Sequence, residues 1–225
     1  MKEAVDSDPE RHTTAKDMAV GIELVVGLGN PGDAYARTRH NVGFRVLDQL
    51  VRNAGAERWV PFSLCHATSA PQVPRLILAK PRTFMNRSGE AVEWLLDHLE
   101  MEPDQMLVVV DDVDLDLGAL RIRPSGGPGT HNGLRDICDR LGDGFPRLRL
   151  GVRGDEGWED LASWVLSPFS NDEVPVAETM IRRAADAAAT AVEDGLVPAM
   201  SRFNGPPPPE PGSRGEIPRP PGAVL

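Results

Sequence analysis

Short apolar runs alternate with amphipathic stretches along most of the chain, and the two periods separate cleanly. Ile22–Leu28, Leu76–Ala79, Met106–Val110 and Leu148–Val152 are brief, β-branched and bounded by turn formers, which predicts strands. Between them the spacing becomes helical. Asn41–Asn53 sets Val42, Val46, Leu47, Leu50 and Val51 on one face, with Asn41 expected as N-cap and Gly55 just past the end. Ser88–Leu99 aligns Ala91, Trp94, Leu95 and His98 or Leu99, and Asn132–Leu141 and Asp172–Asp194 give two further helices. Strands separated by helices predict an α/β fold, a single domain of three layers. Sites in such folds collect at the carboxyl ends of the strands.

The ends of the chain lack this patterning. Residues 1–21 are polar and without a period, so a mobile extension is expected. From residue 205 onward the chain is Pro/Gly-rich, as in PPPPEP and PRPP, and reads as a disordered or polyproline tail. Such a tail either keeps the protein soluble or docks an unknown aromatic-lined partner. The folded domain is expected over 22–204, a size that buries a proper core without staples. No apolar run reaches the roughly 20 residues of a membrane span. The N-terminus carries no apolar signal core, so a cytoplasmic location is expected. Cys65 and Cys138 form no metal or redox spacing and are expected as free thiols, with a single disulfide as the alternative.

Charge complicates the picture. The net charge of −10 counts against a nucleic-acid partner, since phosphate binding needs clustered Lys and Arg. Yet residues 117–153 hold seven arginines (121, 123, 135, 140, 147, 149, 153) against three aspartates. That composition fits either a basic patch or a set of solvated surface arginines.

One motif invites a nucleotide-binding reading. Gly27-Leu28-Gly29-Asn30-Pro31-Gly32 fits G-x-G-x-x-G after a strand, with Asp48 about 20 residues on. The mechanism excludes it. Those glycines must open directly into a helix whose N–H groups meet the pyrophosphate. Here Pro31 removes a donor, the helix waits until Asn41, and Asp48 falls inside that helix.

Four other segments carry candidate chemistry. Asn30-Pro31-Gly32 leads to Tyr35 and on to His40, in a polar loop just before a helix. Lys80–Gly89 sets Phe84, Met85 and Asn86 at a strand exit, where exposure of the two apolar residues is expected. Asp111, Asp112 and Asp114 follow the strand Met106–Val110; such carboxylates bind a divalent cation, orient a base or cap turns. Gly126–Gly133 is a glycine-rich loop holding Thr130, His131 and Asn132. Histidine, with an ordinary pKa of about 6.5, serves as a base near neutral pH. A carboxylate such as Asp111 would hold its tautomer and stabilise the imidazolium. No serine or cysteine occupies a nucleophile setting, and G-x-S-x-G is absent. Attack by activated water is therefore the simpler proposal, with Asn30, Asn86 and Asn132 as neutral amides to guide it. A cation on the aspartates would lack the usual histidine spacing.

The strings VVGLGNPGDAYARTRHNVGF, KPRTFMNRSG, VVVDDVDLDLG, GTHNGLRDI and FPRLRLGV, in this order, resemble the bacterial peptidyl-tRNA hydrolase family over residues 22–204. The resemblance implies hydrolysis of the ester between a peptide and the 3′ end of tRNA, freeing tRNA from aborted translation. It also implies a monomer with a twisted mixed sheet, using neither metal nor cofactor. On this likeness His40 is the base and Asp111 its partner. Asn30, Asn86 and Asn132 line the substrate site, Tyr35 and Met85 neighbour it, and Arg123 and Arg149 clamp a tRNA phosphate, a task suited to the arginine fork.

Some positions depart from the family pattern. Thr130 stands where glycine is usual, which would be strained if that position requires a left-handed backbone. Asp116 replaces a proline, and Ser167-Pro168 replaces Gly-Lys, removing a basic group. Two alternatives therefore stand beside the main reading: a diverged paralogue acting on another ester, and an inactive RNA-binding or interaction module.

Overall fold

The computed structural model describes residues 21–55, 58–71, 73, 75–154 and 160–206. Most of the expected N-terminal extension and C-terminal tail lie outside these residues. In chain order the elements are β1 (Leu24–Gly27), α1 (Val42–Asn53), β2 (Val60–Phe62), β3 (Cys65–Ser69), β4 (Ile77–Pro81), α2 (Ser88–Leu99), β5 (Met106–Asp116) and β6 (Leu120–Arg123). They continue with α3 (Asn132–Leu141), β7 (Arg147–Arg153), α4 (Leu161–Val165), α5 (Val174–Glu193) and α6 (Leu196–Phe203).

The strands form one sheet in the order β2-β3-β4-β1-β5-β7-β6. β1 pairs in parallel with β4 and β5, and β5 in parallel with β7, while the two margins are antiparallel, so the sheet is mixed. Strand alternation divides the interior in two. Val25, Leu107 and Val109 face α1, α5 and α6; Leu24, Val26, Met106, Val108 and Val110 face α2 and α3. Central strands buried on both faces are apolar at nearly every position, which is why they stood out in the sequence. The expected three layers are present.

The chain leaves β1 toward β4 on one side and later returns through α2 to β5 on the other. β1 and β5 are thus the neighbours between which the winding reverses, and a crevice opens beyond their carboxyl ends. β1 stops opposite Val109. Two residues further along β5 lies Asp111.

Several local expectations need correction. β5 does not end at Val110 but runs to Asp116, because Val113 and Leu115 turn inward while Asp114 and Asp116 turn outward. The acidic cluster is part of a strand. The buried face of α2 is Ala91, Val92, Leu95 and Leu96, with Trp94 at its margin and His98 exposed. Asn41 makes no capping bond. Its side chain serves the site instead. β2, β3, β6, α4 and α6 were not anticipated.

The glycines of the nucleotide-like motif have a mechanical use. A Cβ on Gly27 would lie 2.4 Å from the Gly43 carbonyl oxygen, and one on Gly29 would strike the Phe44 ring at 2.8 Å. A Cβ on Gly43 would meet the Val109 oxygen at 2.4 Å. They let α1 lie directly on β1 and β5. Asp48, in the place of a ribose-binding acid, instead accepts from Lys80 and from the Trp59 indole.

Both cysteines are free thiols, and burial pushes Cys65 up to about 12. No helix among the described residues is long and apolar enough to cross a membrane.

Candidate active site

Three loops meet at the crevice, and asparagine side chains join two of them. Asn41 folds back on Asn30: its Nδ2 donates to the Asn30 carbonyl and its Oδ1 accepts from the Asn30 N–H, both at 2.9 Å. This paired contact closes the loop between β1 and α1. The Met85 N–H then donates to Asn30 Oδ1 at 2.8 Å, tying the exit of β4 to that loop. The Asn30 amide NH2 has no partner among the described residues and remains available to donate.

His40 and Asp111 meet as expected. His40 Nδ1 lies 2.8 Å from Asp111 Oδ1, and both groups are buried, at 8% and 3% exposure. Burial alone would raise the Asp111 pKa, but the two neighbouring histidines outweigh it and hold the carboxyl well below the usual range. An ionised carboxylate only accepts, so the proton of this bond sits on Nδ1. The His40 Nε2 lone pair is thereby left free.

The second histidine is His131, which sequence reasoning placed in the glycine loop without a role. Its Nε2 lies 3.1 Å from the same Asp111 oxygen, and its Nδ1 accepts from the Leu134 N–H at 3.1 Å, capping α3. Because Nδ1 accepts, Nε2 must carry the proton. His131 is therefore a fixed donor to Asp111, 4.9 Å from the His40 ring between centroids. The signal in the sequence was a histidine at a helix start beside Asn132.

His40, Asp111 and His131 offer atoms within 4.8 Å of one another, close enough to consider a cation. A ligating histidine normally donates its other ring N–H to an acceptor. His131 does the reverse, so ligation through Nε2 would require an imidazolate or strand the Leu134 N–H. The donor set fits a proton network better than an ion.

The glycine loop is held from beneath by Arg147, 1% exposed. Its guanidinium donates to the carbonyls of Gly126, Asp143 and Phe145 and stacks on the Phe145 ring. Burial lowers its pKa. Left-handed backbone falls at Gly126 and Gly129, whereas Thr130 has an ordinary φ. The expected strain at Thr130 does not arise.

A cavity of about 300 Å³ brings together His40, Asp111, His131, Asn132 and Arg149, with α4 as one wall. Asn132 Oδ1 accepts from Arg135, leaving its NH2 free. Asn30 lines a neighbouring cavity of about 420 Å³ with Lys80 and Trp59. Asn86 is exposed, and Tyr35 packs edge-to-face on the exposed Phe84. Met85, expected to be exposed, is 4% exposed and packs below the crevice, where Gly133 leaves room for its sulfur.

The arginine stretch is mostly spoken for. Arg140 pairs with Glu93 and Asp136, Arg153 with Asp116, and Arg147 is buried. Arg149 Nε lies 2.9 Å from Asp112 Oδ2. Arg121 and Arg123 are exposed on β6, opposite Arg149 and Arg147 in the antiparallel register. Directly opposed residues share a face, so Arg121, Arg123 and Arg149 present their charges together. Of the other departures, Asp116 makes the ion pair just described, and the Ser167 carbonyl accepts from the Arg39 N–H.

Residues 24–211 match the family model described as peptidyl-tRNA hydrolase. The peptidyl-tRNA hydrolase of Synechococcus sp. (strain JA-3-3Ab) is 45% identical over 82% of this chain and 84% of its own length. That of Aquifex aeolicus is 44% identical, over 81% and 96%. A crystal structure of the Acinetobacter baumannii peptidyl-tRNA hydrolase superposes with a TM-score of 0.75 at 32% identity, over 81% of this chain and 96% of that one. Family model, relatives and superposed structure converge: the chain belongs to the peptidyl-tRNA hydrolase family.

Proposed function

We propose that this protein hydrolyses the ester joining a peptide, or an N-blocked amino acid, to the 3′ end of tRNA, with His40 activating the attacking water. The observation that carries the reading is the His40–Asp111 bond, which commits Nδ1 and leaves Nε2 as a base beside an open cavity. Water gives its proton to Nε2 as its oxygen attacks the ester carbonyl carbon. The resulting oxyanion is met by a neutral amide donor, for which the free NH2 of Asn132, in the same cavity as His40, is suited, while the free NH2 of Asn30 in the neighbouring cavity and the exposed Asn86 are assigned to the peptide. Collapse expels the 3′ oxygen, which takes the proton back from His40. The products are a peptide carboxylic acid, which gives its proton to solvent, and tRNA with a free 3′ hydroxyl. No covalent intermediate is needed.

Arg149 and Arg123 are assigned to a tRNA phosphate. The Asp112 carboxylate sits against Arg149 Nε as an ion pair without hydrogen-bond geometry, and the outer edge of the guanidinium is assigned to the ligand. Arg121 belongs to the same surface. Tyr35 and Met85 flank the substrate path, Tyr35 at its rim and Met85 as its floor. This reading includes a monomer working in the cytoplasm to return tRNA to translation.

The test is cleavage of N-acetyl-aminoacyl-tRNA beside the unblocked aminoacyl-tRNA. Hydrolysis of the blocked substrate alone is expected; cleavage of neither would sink the proposal. Arg149→Ala is expected to raise KM with little change in kcat, and to flatten the dependence of kcat/KM on salt by about one counterion. An unchanged salt slope in a titration from 50 to ~200 mM would remove Arg149 from the phosphate site.

A further inference from the structure

Arg39, next to His40, has no role in the chemistry above, yet it is 3% exposed and more elaborately held than its catalytic neighbour. Its Nη2 pairs with Glu173 Oε2 at 2.8 Å. The guanidinium lies over the rings of Trp164, 3.8 Å to the centroid, and Phe169, 4.7 Å. Its backbone N–H donates to the Ser167 carbonyl at 3.0 Å, and Thr38 bridges to Pro168. Glu173 is fixed in turn, since the same oxygen accepts from the Ser170 N–H at 2.8 Å.

This burial is costly. Arg39 Nε and Nη1 have no hydrogen-bond partner, and a desolvated ion pair often gives no more stability than an apolar side chain of similar size. What the arrangement does supply is a single geometry: Nη2 is paired and the plane is stacked between two rings, and lysine has no plane to stack. Arg39, His40 and Asn41 form one 3-10 turn, so any tilt of that turn carries the His40 imidazole with it.

We propose that Arg39 is a positioning residue that acts through His40. Anchored by Glu173, Trp164 and Phe169, it fixes the turn so that Nε2 meets the attacking water. The same contacts hold α4, whose Leu161, Ala162 and Val165 line the cavity with His40. The proposal rests on His40 being the base. Arg39 itself touches no reacting atom.

The experiment compares Arg39→Met in the wild-type and His40→Ala backgrounds, using N-acetyl-aminoacyl-tRNA with thermal unfolding as the check on folding. With His40 present, kcat should fall at least ~10-fold while KM moves less than about threefold, because small misplacements of a base act on the chemical step. With His40 absent, the residual rate should change less than about twofold, since residues that act as a unit are not additive. An equal loss in both backgrounds, or a loss carried by KM, overturns the proposal. Should Arg39→Met fail to fold, Glu173→Gln carries the same comparison, with an expected drop in kcat of about threefold only when His40 is present. A full rate in His40→Ala alone would instead sink the assignment of the base, an outcome separate from an equal loss.

Discussion

His40→Ala is expected to lower kcat on N-acetyl-aminoacyl-tRNA by about 10²-fold or more, the effect of removing a positioned general base. KM should change little, because the surface assigned to tRNA phosphate lies on β6 and β7. The variant should fold. His40 is a member of a hydrogen-bonded pair, and its loss leaves Asp111 still bound to His131. Single-turnover rates with excess enzyme would report the chemical step directly, and a variant within about threefold of wild type would require another base.

Asp111→Asn is expected to cost at least 10²-fold in kcat, approaching the ~10⁴-fold seen when the carboxylate of a serine-protease triad is made neutral. The reason is specific to the shared oxygen. Oδ1 accepts a hydrogen bond from each of two histidines. An asparagine that keeps its oxygen there preserves both bonds but loses the charge that stabilises an imidazolium at His40. One that turns its NH2 toward His40 forces the proton onto Nε2 and removes the base. Either orientation damages the reaction.

The same carboxylate makes a linked prediction about acid. Its folded pKa is depressed, so it lends stability that is present above the ordinary carboxylate pKa of about 3.9 and lost as pH falls through the folded value. Acid unfolding of Asp111→Asn should therefore depend less steeply on pH below about 4, measured against wild type at matched ionic strength. Above that range Asp111 stays charged, so loss of activity toward mild acid should not report its protonation.

Much of this was legible in the sequence, and the exceptions share a physical cause. α1, α3, α5 and the strands around β1 and β5 were visible because burial on both sides of a sheet imposes apolar runs and clear periods. β2 and β3 were missed because they form an antiparallel margin where Pro61, His66 and Thr68 are tolerated. β6 is Leu-Arg-Ile-Arg, a two-residue alternation too short to distinguish a strand from a charged surface segment. The contact between His40 and Asp111 was legible because their residue types suit one reaction and their motifs resemble a family. His131 was passed over because its role depends on one oxygen contributed by a strand 20 residues earlier. Asn41 misled for a related reason. It sits where a cap is expected, but its amide matches the backbone of Asn30, 11 residues away, and that contact prevailed.

The glycines between β1 and α1 bear on how a mutational scan of this protein should be read. Gly27 and Gly43 face backbone oxygens at 2.4 Å from where a methyl group would stand, so even alanine must wedge the helix off the sheet. The turn bearing His40 leads directly into that helix. Substitutions at either glycine would thus score as inactive, although neither residue donates or accepts a proton in the reaction. In an activity map they would be indistinguishable from the proposed base itself, and only a parallel measurement of folded protein would separate the packing contact from the machinery it carries.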